Sequence, residues 1–126
     1  MTIEVKPLTL GQHQETFARH LVMLLAKIWD TGDTVRIGEV QRPIEMQELY
    51  VKQGRSKTMD SQHIKKCAAD LVILRNGIIL TREETKVYGD YWESLTTANR
   101  WGGNWRGLVD SGKSSFIDVP HFERMT

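Results

Sequence analysis

The sequence predicts an α+β domain with a small antiparallel sheet flanked by helices. Two capping boxes, Thr9 to Gln12 and Thr81 to Glu84, each open a segment whose apolar residues recur at helical spacing. Between these segments, Asn76-Gly77 separates two short apolar runs, which is the strongest short-range signal for a hairpin. The order helix, strand, helix, hairpin, helix and tail therefore favours helices packed on a short sheet.

The first helix is expected to begin after Thr9 and to end near Asp30, where Gly32 is a suitable stop. His13 and His20 lie on one face of this helix, two turns apart. A solvated polar face is the preferred interpretation of that pair, ahead of metal binding. The buried stripe of the helix is predicted to consist of Phe17, Leu21, Leu24, Leu25 and Ile28.

The next segment, TVRIGEVQR at positions 34–42, predicts a strand that Gly38 interrupts with a bulge. Pro43 suits the first turn of a short helix that extends to Lys52. The chain from Gly54 to Ser61 is polar, and we expect a loop there.

Ala68 to Leu74 and Ile78 to Leu80 are the two strands expected on either side of the hairpin turn. The last helix should follow Thr81 and extend to about Ala98. The remainder of the chain, rich in glycine, serine and tryptophan, is expected to be irregular or short-stranded. The inner face of the last helix is predicted to consist of Val87, Tyr88, Tyr91, Trp92 and Leu95.

Composition limits the class of protein. The 126 residues fit one domain, residues 1–126, and 40% apolar with 26% charged residues is typical of a globular chain. A net charge of +1 without a basic stripe argues against a nucleic-acid partner. Cys67 is the single cysteine, so no intramolecular disulfide is expected. The start of the chain does not have the pattern of a signal peptide, and no apolar stretch is long enough for a membrane span, so synthesis in the cytoplasm is expected.

His63 and Asp70 form the first candidate site, and they stand seven residues apart. On one straight helix the two side chains would lie about 10 Å apart along the axis. Zinc needs its nitrogen and oxygen ligands at about 2.0–2.2 Å, so a turn leading into a strand could bring the pair together more easily. The alternative is a surface turn that leads into a strand.

Near the C-terminus, DVPHFE places Asp118 three residues before His121, with Pro120 stiffening the backbone between them. His121 could be a third metal ligand and Asp118 a general base, because a zinc hydrolase needs three protein ligands and a carboxylate that moves a proton. The alternative is that Asp118 caps a turn and His121 packs against Phe122.

Arg42 stands at the end of the first predicted strand, where a guanidinium could hold a carboxylate bidentately. On residue type alone, a surface ion pair with Glu45 or Glu48 is favoured. Trp101 and Trp105 flank two glycines, which could form the wall of a cleft or pack in the core beside a turn.

Together these segments resemble the family of zinc D-Ala-D-Ala carboxypeptidases and L-alanyl-D-glutamate endopeptidases, which includes many phage endolysins. The family pattern is Ser-x-His, six residues, Asp, and then a late acidic-x-x-His, matched here by Ser61 to Asp70 and by Asp118 to His121. The resemblance covers about Val35 to Arg124. Three further features fit the family: the spacing from Arg42 to Gln47, the Gly54-Arg55-Ser56 sequence, and the Trp-Gly-Gly segment within Trp101 to Trp105.

The resemblance implies a Hedgehog/DD-peptidase-like zinc peptidase fold that binds Zn²⁺. Many relatives have glycine three residues after the first histidine, where this chain has Lys66, a difference that could alter the backbone between two ligands. The implied residues are His63, Asp70 and His121 as metal ligands, Asp118 as catalytic base, Arg42 as clamp on the substrate or transition state, and Ser61 as a substrate contact or orienting group, with Trp101 as a further substrate contact.

The implied function is that of a peptidoglycan hydrolase, a phage or prophage endolysin that cleaves the L-alanyl-D-glutamate bond of the stem peptide. An aspartate at position 118 together with Trp-Gly-Gly favours this activity over the alternative, a D-Ala-D-Ala carboxypeptidase. A catalytically silent phage structural or wall-binding module is the alternative from another class. The resemblance further implies a monomer, released through a holin lesion, that acts on the cell wall in the periplasm.

Overall fold

A computed structural model of the chain describes residues 6–56 and 61–126, which form helices on a five-stranded antiparallel sheet. This architecture confirms the α+β class. The predicted loop from Gly54 to Ser61 lies partly outside the described residues. The elements are α1 (Leu10–Thr31), β1 (Thr34–Ile37), α2 (Ile44–Lys52), β2 (Ala68–Arg75), β3 (Ile78–Ile79), α3 (Arg82–Leu95), β4 (Asn99–Trp101) and β5 (His121–Arg124).

Both predicted capping boxes are present. The side chains of Thr9 and Thr81 accept from the backbone of the residue three positions on, and that residue's side chain accepts from the cap backbone in return. Helix α1 ends at Gly32, as expected. Helix α3 ends at Leu95 and not near Ala98, because Thr96 is already extended, with φ −165° and ψ 155°, where the chain turns toward β4.

The strand order is β1-β2-β5-β4, and β3 pairs with the C-terminal end of β2. Asn76 and Gly77 form the predicted turn with φ 53° and 78°, the left-handed conformation that a two-residue hairpin loop of this type requires. The tail contributes β4 and β5. Strand β5 lies between β2 and β4, a position that its own sequence does not indicate.

Strand β1 is shorter than the predicted 34–42, because a bulge follows Ile37. The Gly38 N–H donates to the Asp70 carbonyl at 2.7 Å, and the Asp70 N–H donates to the Glu39 carbonyl at 2.9 Å. Gly38 and Glu39 therefore both lie opposite Asp70, which is the arrangement of a β-bulge. Pro43 is the N-cap of α2 and not its first helical residue.

Helices α1 and α3 pack together on one face of the sheet. Val87 was predicted to face this core but is 54% exposed, since it precedes the fully buried Tyr88 and points about 100° away around the helix. The core residues include Phe17, Leu24 and Ile28 of α1, Tyr88 and Trp92 of α3, and Ala69, Leu71, Ile73, Trp101 and Phe122 of the sheet.

His13 and His20 do not form a solvated face, so that prediction is wrong. Both are partly buried against the end of the sheet. The Arg124 Nε–H donates to His13 Nδ1 at 3.2 Å, and the amide of Asn99 lies 3.2 Å from His20 Nδ1. In the described part of the chain, no helix is both long and apolar enough to cross a membrane.

The face of the sheet opposite these helices carries the polar side chains of the candidate site. Successive residues of a strand point to opposite faces, so Phe122 enters the core while His121 and Glu123 point away from it. Cross-strand pairing places Asp70 opposite His121 and Arg100 opposite Glu123. These four residues therefore share one face across three adjacent strands.

Candidate metal centre and cleft

Three side chains from two distant segments of the sequence converge on this face. His63 Nε2 lies 3.2 Å from Asp70 Oδ1 and 3.1 Å from His121 Nδ1. His121 Nδ1 lies 3.6 Å from the same Asp70 oxygen. Within residues 6–56 and 61–126, this is the one group of three or more histidine, cysteine or acidic side chains close enough to hold a metal ion.

The fold explains how these residues meet. Asp70 and His121 are direct cross-strand partners of β2 and β5. His63 comes from the turn that precedes β2, where its backbone N–H donates to the Ser61 hydroxyl at 3.2 Å and its carbonyl accepts from the Arg42 N–H at 3.2 Å. The arrangement is a turn leading into a strand, the geometry that was considered from the sequence as bringing His63 and Asp70 together more easily than a helix.

The outer nitrogen of each imidazole has an acceptor as its partner. His63 Nδ1 donates to the Val40 carbonyl at 3.0 Å, and His121 Nε2 donates to Glu123 Oε1 at 2.7 Å. A proton on each outer nitrogen leaves the inner nitrogens, His63 Nε2 and His121 Nδ1, free to act as ligands. Such outer partners are usual for metal-binding histidines, because they fix the tautomer and the orientation of the ring.

The inner atoms of the centre are all acceptors, so they need a cation between them. Without a metal, a proton on His121 fills this role. Burial lowers the pKa of His121, but hydrogen bonds to Asp70 and Glu123 outweigh burial and raise this pKa to about 9. For Asp70, burial raises the pKa of the carboxyl. The hydrogen bonds from His121 and His63 outweigh burial and hold this pKa well below its usual range.

The geometry of the donor atoms fits a metal ion. Tetrahedral ligands at the usual zinc–nitrogen and zinc–oxygen distances lie about 3.3 Å from one another. The separations here are 3.1, 3.2 and 3.6 Å. Two imidazoles and one carboxylate form a set that suits Zn²⁺ and leaves a fourth position for water. His63, Asp70 and His121 are thus the residues that could hold the ion.

Glu123 connects the centre to the rest of the sheet. Besides accepting from His121, this buried carboxylate accepts from Arg100 Nε at 3.0 Å and from its Nη2 at 2.7 Å. Burial raises the pKa of Glu123, but His121 and Arg100 outweigh it and the net shift is downward. Glu123 therefore holds His121 in position as a carboxylate anion.

Replacing Glu123 with glutamine is expected to weaken zinc binding about 10- to 100-fold, because the outer partner of His121 loses its charge. Competition with a chromogenic chelator measures the affinity. The matched control is Glu48→Gln, since Glu48 is exposed on α2. Equal zinc affinity in both variants would show that Glu123 does not support the metal ligand.

A cleft of about 310 Å³ lies beside the metal centre, a size suited to a small ligand or a peptide segment. His63 and His121 contribute to its wall. The cleft is further lined by Arg42, Arg55, Ser56, Ser61, Arg100, Trp105, Leu108, Ser114, Phe116 and Asp118.

Asp118 lies in the wall of this cleft and also in an adjoining concavity of about 350 Å³. Its carbonyl accepts from the His121 N–H at 3.1 Å, and its own N–H donates to the Gly102 carbonyl at 2.8 Å. Burial raises the pKa of the Asp118 carboxyl, a shift that suits a proton acceptor better than an ordinary aspartate pKa does.

The two glycines of the Trp-Gly-Gly segment are needed for close packing. A Cβ at Gly102 would lie 2.3 Å from the Asp118 carbonyl oxygen, and a Cβ at Gly103 would lie 2.1 Å from the Trp101 ring. Any larger residue at these positions would move Asp118 or Trp101. The segment therefore places Asp118 beside His121.

The two tryptophans that flank these glycines have different positions. Trp101 is fully buried, and its indole N–H donates to the Val119 carbonyl at 2.7 Å. It belongs to the core, so the expected contact between its side chain and a substrate is wrong. Trp105 lines the cleft instead, stacked on Phe116 with ring centroids 6.1 Å apart and 5.4 Å from the His121 ring.

Arg42 lies in the cleft wall with its side chain only 10% exposed. Its guanidinium pairs with Glu39 and donates to Gln47 Oε1 at 2.5 Å. Neither Glu45 nor Glu48 is its partner, so the surface ion pair considered from the sequence is not present. Gln47 in turn donates to the Ser56 hydroxyl at 2.7 Å, so Gln47 links Arg42 to Ser56.

Lys66 has φ 57°, at a position where many members of the family that the motifs resemble have glycine. This left-handed conformation costs a non-glycine residue about 1–2 kcal/mol, of which the greater flexibility of glycine in the unfolded chain cancels part. Lys66→Gly is therefore expected to raise the free energy of unfolding by about 0.5–1 kcal/mol, measured by urea denaturation. Lys66→Ala is the control, because alanine retains the strain. A destabilised glycine variant would contradict this explanation.

Several residues of the site were not identified from the sequence. Glu123 had a local signal, since it lies two residues after His121 and so shares its face in a strand. Arg100 and Phe116 had none, because only the pairing of β4 with β5 and the turns that follow β4 bring them to the cleft. Trp105, considered from the sequence as part of a cleft wall, does line the cleft.

The fold and centre define a class: an α+β protein with a His-Asp-His group of metal-binding geometry beside a cleft. A solved structure of this fold is the Serratia marcescens L-Ala D-Glu endopeptidase ChiX, which aligns with a TM-score of 0.64 and 22% sequence identity. The alignment covers 88% of this chain and 79% of that chain. No family model matches the sequence, and no curated protein matches it either.

Proposed function

We propose that the protein is a zinc-dependent peptidoglycan hydrolase that cleaves the L-alanyl-D-glutamate bond of the stem peptide. The observation that carries the proposal is the convergence of His63, Asp70 and His121 at 3.1–3.6 Å beside a cleft that also contains Asp118. Two further observations support the same activity: the fold shared with the Serratia endopeptidase, and the resemblance of this chain's motifs to those of the endopeptidase family.

In this proposal each polar residue of the cleft has a distinct role. Zn²⁺ held by His63, Asp70 and His121 would supply a Lewis acid that makes the attacking water more acidic. Asp118 accepts the proton of the attacking water and then transfers it to the leaving amine. Arg42, fixed by Glu39 and Gln47, donates to the oxygen of the scissile carbonyl as charge develops there.

Ser61 has mainly an orienting role, because its hydroxyl accepts from the His63 backbone N–H while it also lines the cleft. The proposal extends to a single catalytic domain that acts as a monomer. A phage or prophage origin, release through a holin and action on the wall in the periplasm complete it, and these parts are supported by the motif resemblance.

The test uses purified wall fragments and the zinc-loaded protein, with mass spectrometry of the products. Cleavage that leaves a new amine on the glutamyl residue, lost after chelation and restored by Zn²⁺, is the expected result. Loss of a terminal alanine would identify a D-Ala-D-Ala carboxypeptidase instead. Wall binding without any new amine would contradict the enzymatic proposal and favour a silent binding module.

A further inference from the structure

Three arginines line the cleft, and two of them already pair with carboxylates of the protein. Arg42 pairs with Glu39, and Arg100 pairs with Glu123. Within residues 6–56 and 61–126, no carboxylate oxygen lies within 4.0 Å of the Arg55 guanidinium. Arg55 therefore brings a positive charge to the cleft, and no carboxylate among the described residues balances this charge.

Arg55 is held in place by an aromatic ring. Its guanidinium lies over Tyr50 with 4.3 Å to the ring centroid, and Arg42 lies over the same ring at 4.7 Å. The backbone N–H of Arg55 donates to the Tyr50 carbonyl at 2.8 Å at the end of α2. Stacking on an aromatic face leaves the N–H groups at the edge of a guanidinium available for a carboxylate.

The position of Arg55 relates it to the reacting groups. It lines both the cleft and the adjoining concavity, and Arg42, Phe116 and Asp118 are the other residues that the two share. Arg55 thus lies where the cleft and the adjoining concavity meet, together with the proposed base Asp118 and the proposed clamp Arg42. A substrate group bound there lies next to the bond that Asp118 and Arg42 act on.

We propose that Arg55 binds a carboxylate of the substrate residue adjacent to the scissile bond, and so makes the enzyme specific for an acidic residue at that position. The inference rests on the proposed function. A fork of N–H donors matches a carboxylate bidentately, whereas a neutral amide offers one acceptor oxygen and no charge. The enzyme therefore distinguishes a glutamyl from a glutaminyl residue on the amine side of the cleaved bond.

The experiment uses two synthetic stem peptides that differ only in that carboxylate, free in one and amidated in the other. The zinc-loaded wild-type protein is expected to cleave the acidic peptide with a kcat/KM about 10- to 100-fold higher. Arg55→Gln should remove this preference by lowering kcat/KM for the acidic peptide alone, mainly through KM. Its zinc content and its kcat/KM for the amidated peptide should match the wild type.

Arg36→Gln is the matched control, because Arg36 is an exposed arginine of β1 that does not line the cleft. Equal cleavage of both peptides by the wild type, or an equal loss on both in Arg55→Gln, would overturn the role of Arg55. Cleavage of neither peptide would overturn the proposed function instead. Calorimetric binding of the two peptides then tests Arg55 separately, with weaker binding of only the acidic peptide to Arg55→Gln as the expected result.

Discussion

Replacing His63 by alanine is expected to remove both the proposed metal ion and the proposed peptidase activity. The variant keeps two donors, Asp70 and His121, whereas a zinc site of this kind needs three protein ligands. Elemental analysis should show zinc falling from about one ion per chain to about a tenth of that or less. Release of stem peptides should fall by at least about a thousandfold, since in the proposed reaction the metal would activate the attacking water.

A second histidine of the chain provides the control for that variant. His20 is half-buried at the end of the sheet beside Asn99, away from the cleft, so His20→Ala should keep its zinc and its activity. Far-ultraviolet circular dichroism confirms that both variants are folded. A His63→Ala protein that binds zinc with wild-type affinity would show that the three side chains do not form the metal site.

Asp118→Asn is expected to separate metal binding from catalysis. Asparagine retains the size of the side chain but cannot accept the proton from water, so kcat should fall by about 10²- to 10⁴-fold. Zinc content should stay near one ion per chain, because Asp118 is not among the three ligands. Full activity in this variant, or loss of its zinc, would contradict the role of general base.

The same substitution should stabilise the metal-free protein at neutral pH. Burial raises the pKa of Asp118 in the folded state, so the folded chain disfavours its charged form and loses stability as the pH rises through that pKa. Above that pKa the penalty is present and Asp118→Asn removes it, so differential scanning calorimetry should show a higher Tm for the variant than for the wild type. At pH 3 the difference should vanish. Asp30→Asn, at an exposed position of α1, should leave Tm unchanged.

Much of the secondary structure could be predicted because its signals are local. The capping boxes at Thr9 and Thr81 and the Asn76-Gly77 turn each depend on residues within four positions of one another. The predicted elements fail at their ends and on one helix face, as at Thr96 and Val87. There the outcome depends on where the chain goes next and on which side of the helix the sheet lies.

The candidate site was accessible from the sequence only through the resemblance of its motifs to a family. Spacing alone left His63, Asp70 and His121 with ordinary structural alternatives. The partners that support the centre, Glu123 and Val40, come from the strand of His121 and from the segment after the bulge. A carbonyl acceptor such as that of Val40 leaves no trace in the residue type, so sequence reasoning could not find it.

The sequence by itself determined the helices, the hairpin and the set of residues with metal-binding chemistry, since these follow from local spacing and side-chain type. The tertiary structure decided how they combine. The pairing of β2 with β5 places Asp70 opposite His121, and the turns after β4 bring Trp105 to the cleft while Trp101 stays in the core. Strand register between segments about fifty residues apart depends on the packing of the whole sheet against its helices, which no short stretch of the sequence encodes.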